Sequence, residues 1–217
     1  TIASDNVYDL ESGIQNTIQP EVRASWKWIN HPSEPDKLVH MTNKEAHVHT
    51  WDELLRPHAL GAVERKSSTK LVSDTTSNTF LKGIAVCADS CKLAIEFSTS
   101  HGRQSTSHVF LLAAAALQEP VPETVESLPQ FAKIAPRIEH IVGSLGRRLI
   151  FLDRKMWVCS FDLEDFKDEY SRHCFIPNEW LSASWDVKMK ISGQGDLIFV
   201  KVAELSVIKR GLDMKEV

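Results

Sequence analysis

The chain has 217 residues, 42% of them hydrophobic and 25% charged, which suits one sizeable globular core or two small ones. A formal net charge of -4 offers no basic excess for nucleic acid or an anionic membrane. Four cysteines without CxxC spacing (Cys87, Cys91, Cys159 and Cys174) argue against a disulfide scaffold or a zinc knuckle, and the longest apolar run, VFLLAAAAL at 109–117, is too short to span a bilayer.

Residues 1–20 are polar and unpatterned and read as a linker or frayed start; TIASDNVYDL does not resemble a signal peptide. The chain opens at Thr1 without an initiator Met, so the expectation is a piece of a longer protein. The rest reads as repeats over about 21–60, 70–117, 131–165 and 170–214.

The first repeat has an apolar run at 26–29, then DKLVHM at 36–41 and VHTWD at 48–52. Its stretch EAHVHTWDEL, residues 45–54, places His47 and His49 on one face of a strand, where they could share a metal. A catalytic zinc needs a third ligand, for which His40 and His58 are nearest, and no acidic residue stands out as a general base. The alternative is a blade strand in which the histidines precede a WD dipeptide. The expectation is therefore an inner strand whose histidines are structural or surface residues, with no metal and no cofactor.

The second repeat has an apolar run at 84–87, a turn Ala88-Asp89-Ser90, CKLAI at 91–95 and VFLL at 109–112. Residues 110–117 are Ala-rich and favour helix by propensity, yet the first half occupies a strand position of the repeat. Residues 118–129 carry three prolines and read as a connector, with room for a short helix around 121–128. The third repeat runs from 138–142 through a Gly143 to Gly146 turn, RLIFL at 148–152 and VCSFDL at 158–163. Its acidic stretch 162–169 lacks the alternation and central Gly of a calcium loop and reads as a solvated loop or single helical turn. The fourth repeat comprises 187–191, a Gly-containing turn at 192–196, DLIFV at 196–200 and VIKRGL at 207–212.

Leu38, Leu93, Leu149 and Leu197 mark the same place in each repeat at intervals of about 50 residues, the range of a propeller blade. Short runs rich in Val, Ile, Phe and Trp between tight turns are strands, and a meander of this size must stack on its neighbours. The expected fold is all-β: a WD40-like β-propeller fragment of about four antiparallel blades.

The segment from Ile141 through Asp153, then Met156-Trp157-Val158-Cys159-Ser160, resembles the C-terminal propeller of fungal NACHT/WD-repeat proteins. These are NOD-like, STAND-type signalling proteins related in organisation to heterokaryon-incompatibility proteins. RHCFIPNEWL at 172–181 and DLIF at 196–199 with VIKRGL at 207–212 are similar to later elements of the same family; the likeness is best over 138–213. The resemblance implies a non-catalytic, cytoplasmic sensing or scaffolding propeller that binds a protein partner and belongs to a longer chain with further blades. The family's ATPase core has no counterpart, for there is no GxxxxGK[ST].

Catalytic motifs are otherwise sparse: no G-x-S-x-G occurs, and His101, His108 and His140 have no sequence-linked nucleophile. A rival reading is an enzyme propeller of the metal-dependent hydrolase type, but the inner-strand candidates Trp28, Ile84, His140 and Met189 repeat no acidic residue in register. A third is a truncated structural remnant with open sheet edges. Trp51 and Trp157 occupy repeat positions and read as core. Trp and Arg dominate interface hot spots, which makes Trp180 and Arg210 the candidate interaction residues.

Overall fold

The four repeat leucines each lie in the second strand of an antiparallel meander, and each is buried, at 3%, 0%, 0% and 1% exposed in chain order. The computed structural model describes residues 2–3, 6–8, 15–17, 27–43, 45–55, 69–70, 79–101, 104–117, 127–165, 169–177, 188–201 and 204–212. Sheet I is formed by β1 (Ile2–Ala3), β2 (Asn6–Tyr8) and β3 (Gln15–Thr17). Sheet II is β4 (Lys27–Asn30), β5 (Lys37–Met41), β6 (Glu45–Thr50) and β7 (Thr69–Lys70), paired in that order. Sheet III is β8 (Thr79–Cys87), β9 (Lys92–His101) and β10 (Gln104–Ala113). Sheet IV is β11 (Ile138–Leu145), β12 (Arg148–Asp153), β13 (Trp157–Asp162) and β14 (Ser171–Phe175). Sheet V is β15 (Lys188–Ile191), β16 (Leu197–Lys201) and β17 (Glu204–Ile208). The pairings are antiparallel throughout, so the all-β expectation holds.

Period-two alternation explains why the sheets stack. On β9, Leu93, Ile95 and Phe97 enter a core with Val39 and Met41 of sheet II, while Ala94 enters a second core with Leu149 and Phe151 of sheet IV. On β12, Leu149 and Phe151 face sheet III, while Ile150 and Leu152 join Met189, Leu197 and Phe199 of sheet V. Sheets III and IV are thus apolar on both faces. Their first strands also neighbour one another: β11 lies against β8 and β15, and Lys27 Nζ of β4 donates to the Lys82 carbonyl of β8 at 2.7 Å.

EAHVHT forms β6, a strand flanked by β5 and β7. Two sequence expectations need correction. Residues 1–20 contain the three short strands of sheet I, not only linker. The WD dipeptide then opens helix α1 (Trp51–Leu55) and does not end a strand. The cause is a capping box: Thr50 Oγ1 accepts the Glu53 N–H at 3.2 Å, and the Thr50 N–H donates to Glu53 Oε2 at 3.0 Å. The Ala tail after β10 forms a short 3-10 helix, Ala114–Leu117, and the proposed helix around 121–128 lies mostly outside the described residues.

Candidate interaction surface

The third strands of the last three repeats each carry a valine on the same kind of face, and its surroundings differ along the stack. Val109 on β10 is 6% exposed and Val158 on β13 fully buried, whereas Val207 on β17 is 48% exposed. Pairing of Val200 with Leu205 and of Ile198 with Val207 places all four on one face of sheet V. Leu205 is 67% exposed and Val200 39%, while Leu197 and Phe199 point the other way into the core shared with sheet IV. The result is an apolar strip on the last strand of the last sheet. Large exposed apolar groups side by side are the unusual observation on a protein surface.

Arg210 lies in the turn that follows β17 and is exposed, with a left-handed φ of 49°. Its backbone N–H donates to Asp196 Oδ1 at 2.8 Å, which ties the turn to the start of β16. Arg210, Lys209, Gln194 and Asp196 line an open hollow at this end of sheet V. Arg210, one of the two candidate contact residues, is thus exposed in the turn by which the chain leaves β17. Trp180, the other, lies outside the described residues. Of the tryptophans expected in the core, Trp157 packs partly buried against the sheet III–IV core, and Trp51 is half-buried at the start of α1.

His47 and His49 share a face of sheet II, as their spacing requires, with His40 of β5 and Trp28 of β4. Trp28 stacks on His40 at 4.6 Å between ring centroids; His40 to His47 is 6.1 Å and His47 to His49 is 6.5 Å. Among the described residues no group of three His, Cys, Asp or Glu side chains is spaced to hold a metal, and His58 lies outside them. Burial pushes His40 down to about 4, helped by His47 and His49, and burial likewise lowers His49. Burial thus disfavours the protonated form of His40 and His49 within this aromatic row.

A polar cluster that the sequence reading did not identify sits between sheets III and IV. Glu96 of β9 is fully buried. Its Oε2 accepts from His140 Nδ1 at 2.8 Å and from the Ile141 N–H at 2.9 Å; its Oε1 accepts from Lys82 Nζ at 2.8 Å and Ser107 Oγ at 3.3 Å. Burial alone would raise this carboxyl, but the bond and charge of His140, then those of Lys82, outweigh it and hold Glu96 below the usual carboxylate range. Three register shifts build the site. The register of β11 shifts on both sides of His140–Ile141, freeing the Ile141 N–H to reach across, and that of β8 shifts between Leu81 and Gly83. A Cβ on Gly83 would lie 2.9 Å from Glu96 Oε2, so glycine leaves room for the carboxylate. The signal in the sequence was a lone acid inside the apolar run LAIEF at 93–97.

No family model matches the chain, and no curated protein matches it. Among solved structures, the crystal structure of Porphyromonas gingivalis dipeptidyl peptidase 4 is similar at a TM-score of 0.49 and 11% identity. The match covers 95% of this chain and 34% of that one, so the chain spans about a third of the peptidase's length.

Proposed function

We propose that the chain is a segment of a WD-type β-propeller and works as a protein-binding scaffold, the tail of a cytoplasmic NACHT-type signalling protein. The stack supports the propeller: meanders of three or four strands pack face to face, with their first strands side by side. The membership in a NACHT-type protein rests on the resemblance of 138–213. The observation that carries the binding role is β17, whose Leu205 and Val207 stand exposed on one face with Val200, ahead of the turn that exposes Arg210. Apolar anchors flanked by an Arg are the composition of interface hot spots.

The test is capture of a partner on the purified chain, followed by calorimetric titration of that partner once it is itself pure. Leu205→Arg with Val207→Arg should weaken binding at least about tenfold while leaving the melting transition in place. Unchanged affinity in a folded double variant would remove β17 as the contact and the proposal with it.

A further inference from the structure

We infer that the end of sheet IV carries a preorganised basic patch that binds an acidic peptide segment of a partner protein. Four cations gather there: Arg137 before β11, Arg154 and Lys155 in the turn between β12 and β13, and Arg172 on β14. All four are exposed. The Arg154 N–H donates to the Arg137 carbonyl at 3.2 Å, which brings those two residues side by side. The guanidinium carbons of Arg137 and Arg172 both lie 5.8 Å from the centre of the Tyr170 ring, which thus orients two cations at once.

One buried carboxylate organises the patch. Asp153 is 2% exposed. Its Oδ1 accepts the N–H groups of Lys155 at 2.8 Å and Trp157 at 2.9 Å, fixing the turn that presents Arg154 and Lys155. Its Oδ2 accepts from Arg172 Nε at 3.1 Å and Nη2 at 2.9 Å, and from the Tyr170 hydroxyl at 3.4 Å. Arg172 keeps 43% of its side chain exposed while bound there. Among the described residues, Arg137, Arg154 and Lys155 enter no ion pair, although the chain as a whole carries a net charge of -4. Arg137 and Arg172, held against Tyr170, lose little freedom when a ligand arrives, and planar guanidinium groups match carboxylates in pairs. The patch is short and lies on an acidic protein, which favours a peptide over a long nucleic acid strand that would meet repulsion beyond it.

This surface is separate from the β17 strip and stands or falls without it. The experiment is fluorescence anisotropy with a labelled decaglutamate peptide in 50 mM salt, repeated with a labelled decathymidylate. The intact chain should bind the peptide saturably, and Arg137→Glu with Arg154→Glu and Lys155→Glu should weaken it at least about tenfold. A charge-matched control away from the patch, Arg147→Glu with Lys190→Glu and Lys209→Glu, should change it less than about twofold. Circular dichroism melts on both triple variants establish that they fold. Absent peptide binding, equal loss in the control, or tighter binding of the oligonucleotide would each overturn the inference.

Discussion

Glu96 ties three strands together at one buried point, because its four partners come from β8, β10 and β11. Replacing it by Gln keeps the shape but leaves Lys82 without its counter-charge and His140 Nδ1 without a carboxylate partner. The expected cost is about 2 to 4 kcal/mol in urea unfolding at pH 7. Gly83→Ala tests the same group from the other side. A Cβ 2.9 Å from Oε2 must displace a pinned carboxylate, so the loss should be about 1 to 2 kcal/mol although only a methyl group is added. If Gly83→Ala were neutral, the carboxylate would not be pinned. These residues also show what the sequence could disclose. His47 and His49 were visible as a pair because they share a strand, and the aromatic row they join follows from strand pairing. Glu96 and His140 are 44 residues apart, and their contact depends on register shifts in β8 and β11 that leave no mark in composition.

Sheet II is the element whose stability should respond to mild acid. His40 keeps a pKa of about 4 in the folded chain against an ordinary 6.5. Below pH 6.5 the unfolded chain gains a proton there that the folded chain refuses until pH reaches about 4. The contribution is therefore complete above pH 6.5 and declines as pH falls through that window, by about 2 kcal/mol after allowance for solvent. His49, lowered for the same reason, adds in the same direction, and a His40→Phe variant should show a flatter profile. A wild-type chain equally stable at pH 7 and pH 5 would contradict this. Strand placement was readable at this scale because Leu38, Leu93, Leu149 and Leu197 fill equivalent buried sites. Position within a sheet was harder. EAHVHT alternates like a strand of any rank, and T-x-x-E at Thr50 to Glu53 turned the WD dipeptide into a helix start. Two third-strand valines, one buried and one exposed, give a sharper comparison. Val158→Ala should cost about 1 to 2 kcal/mol and Val207→Ala under about 0.5, measured in the same urea series.

For the molecule as a whole, a stack in which each sheet touches its neighbours predicts that cover, and not strand length, sets the order of opening. Sheets III and IV bury both faces, in cores that contain Phe97, Phe131, Phe151 and Phe161, all 0–1% exposed. Sheet V packs one face on sheet IV and leaves Val200, Leu205 and Val207 on the other in solvent. Hydrogen exchange at urea concentrations below the midpoint should therefore release β17 first, then β15 and β16, with β9 and β12 last. Phe151→Ala, in the core between sheets III and IV, should cost about 3 to 5 kcal/mol and speed exchange in both sheets together. Phe199→Ala, in the core between IV and V, should instead loosen sheet V while β9 keeps its protection. Uniform protection lost in one step in both variants would mean that the sheets fold as a single cooperative unit and that the exposed strip on β17 marks no weaker element. A graded order would identify sheet V as the sheet with most stability to gain when a partner covers it, since binding only the folded form adds directly to that stability.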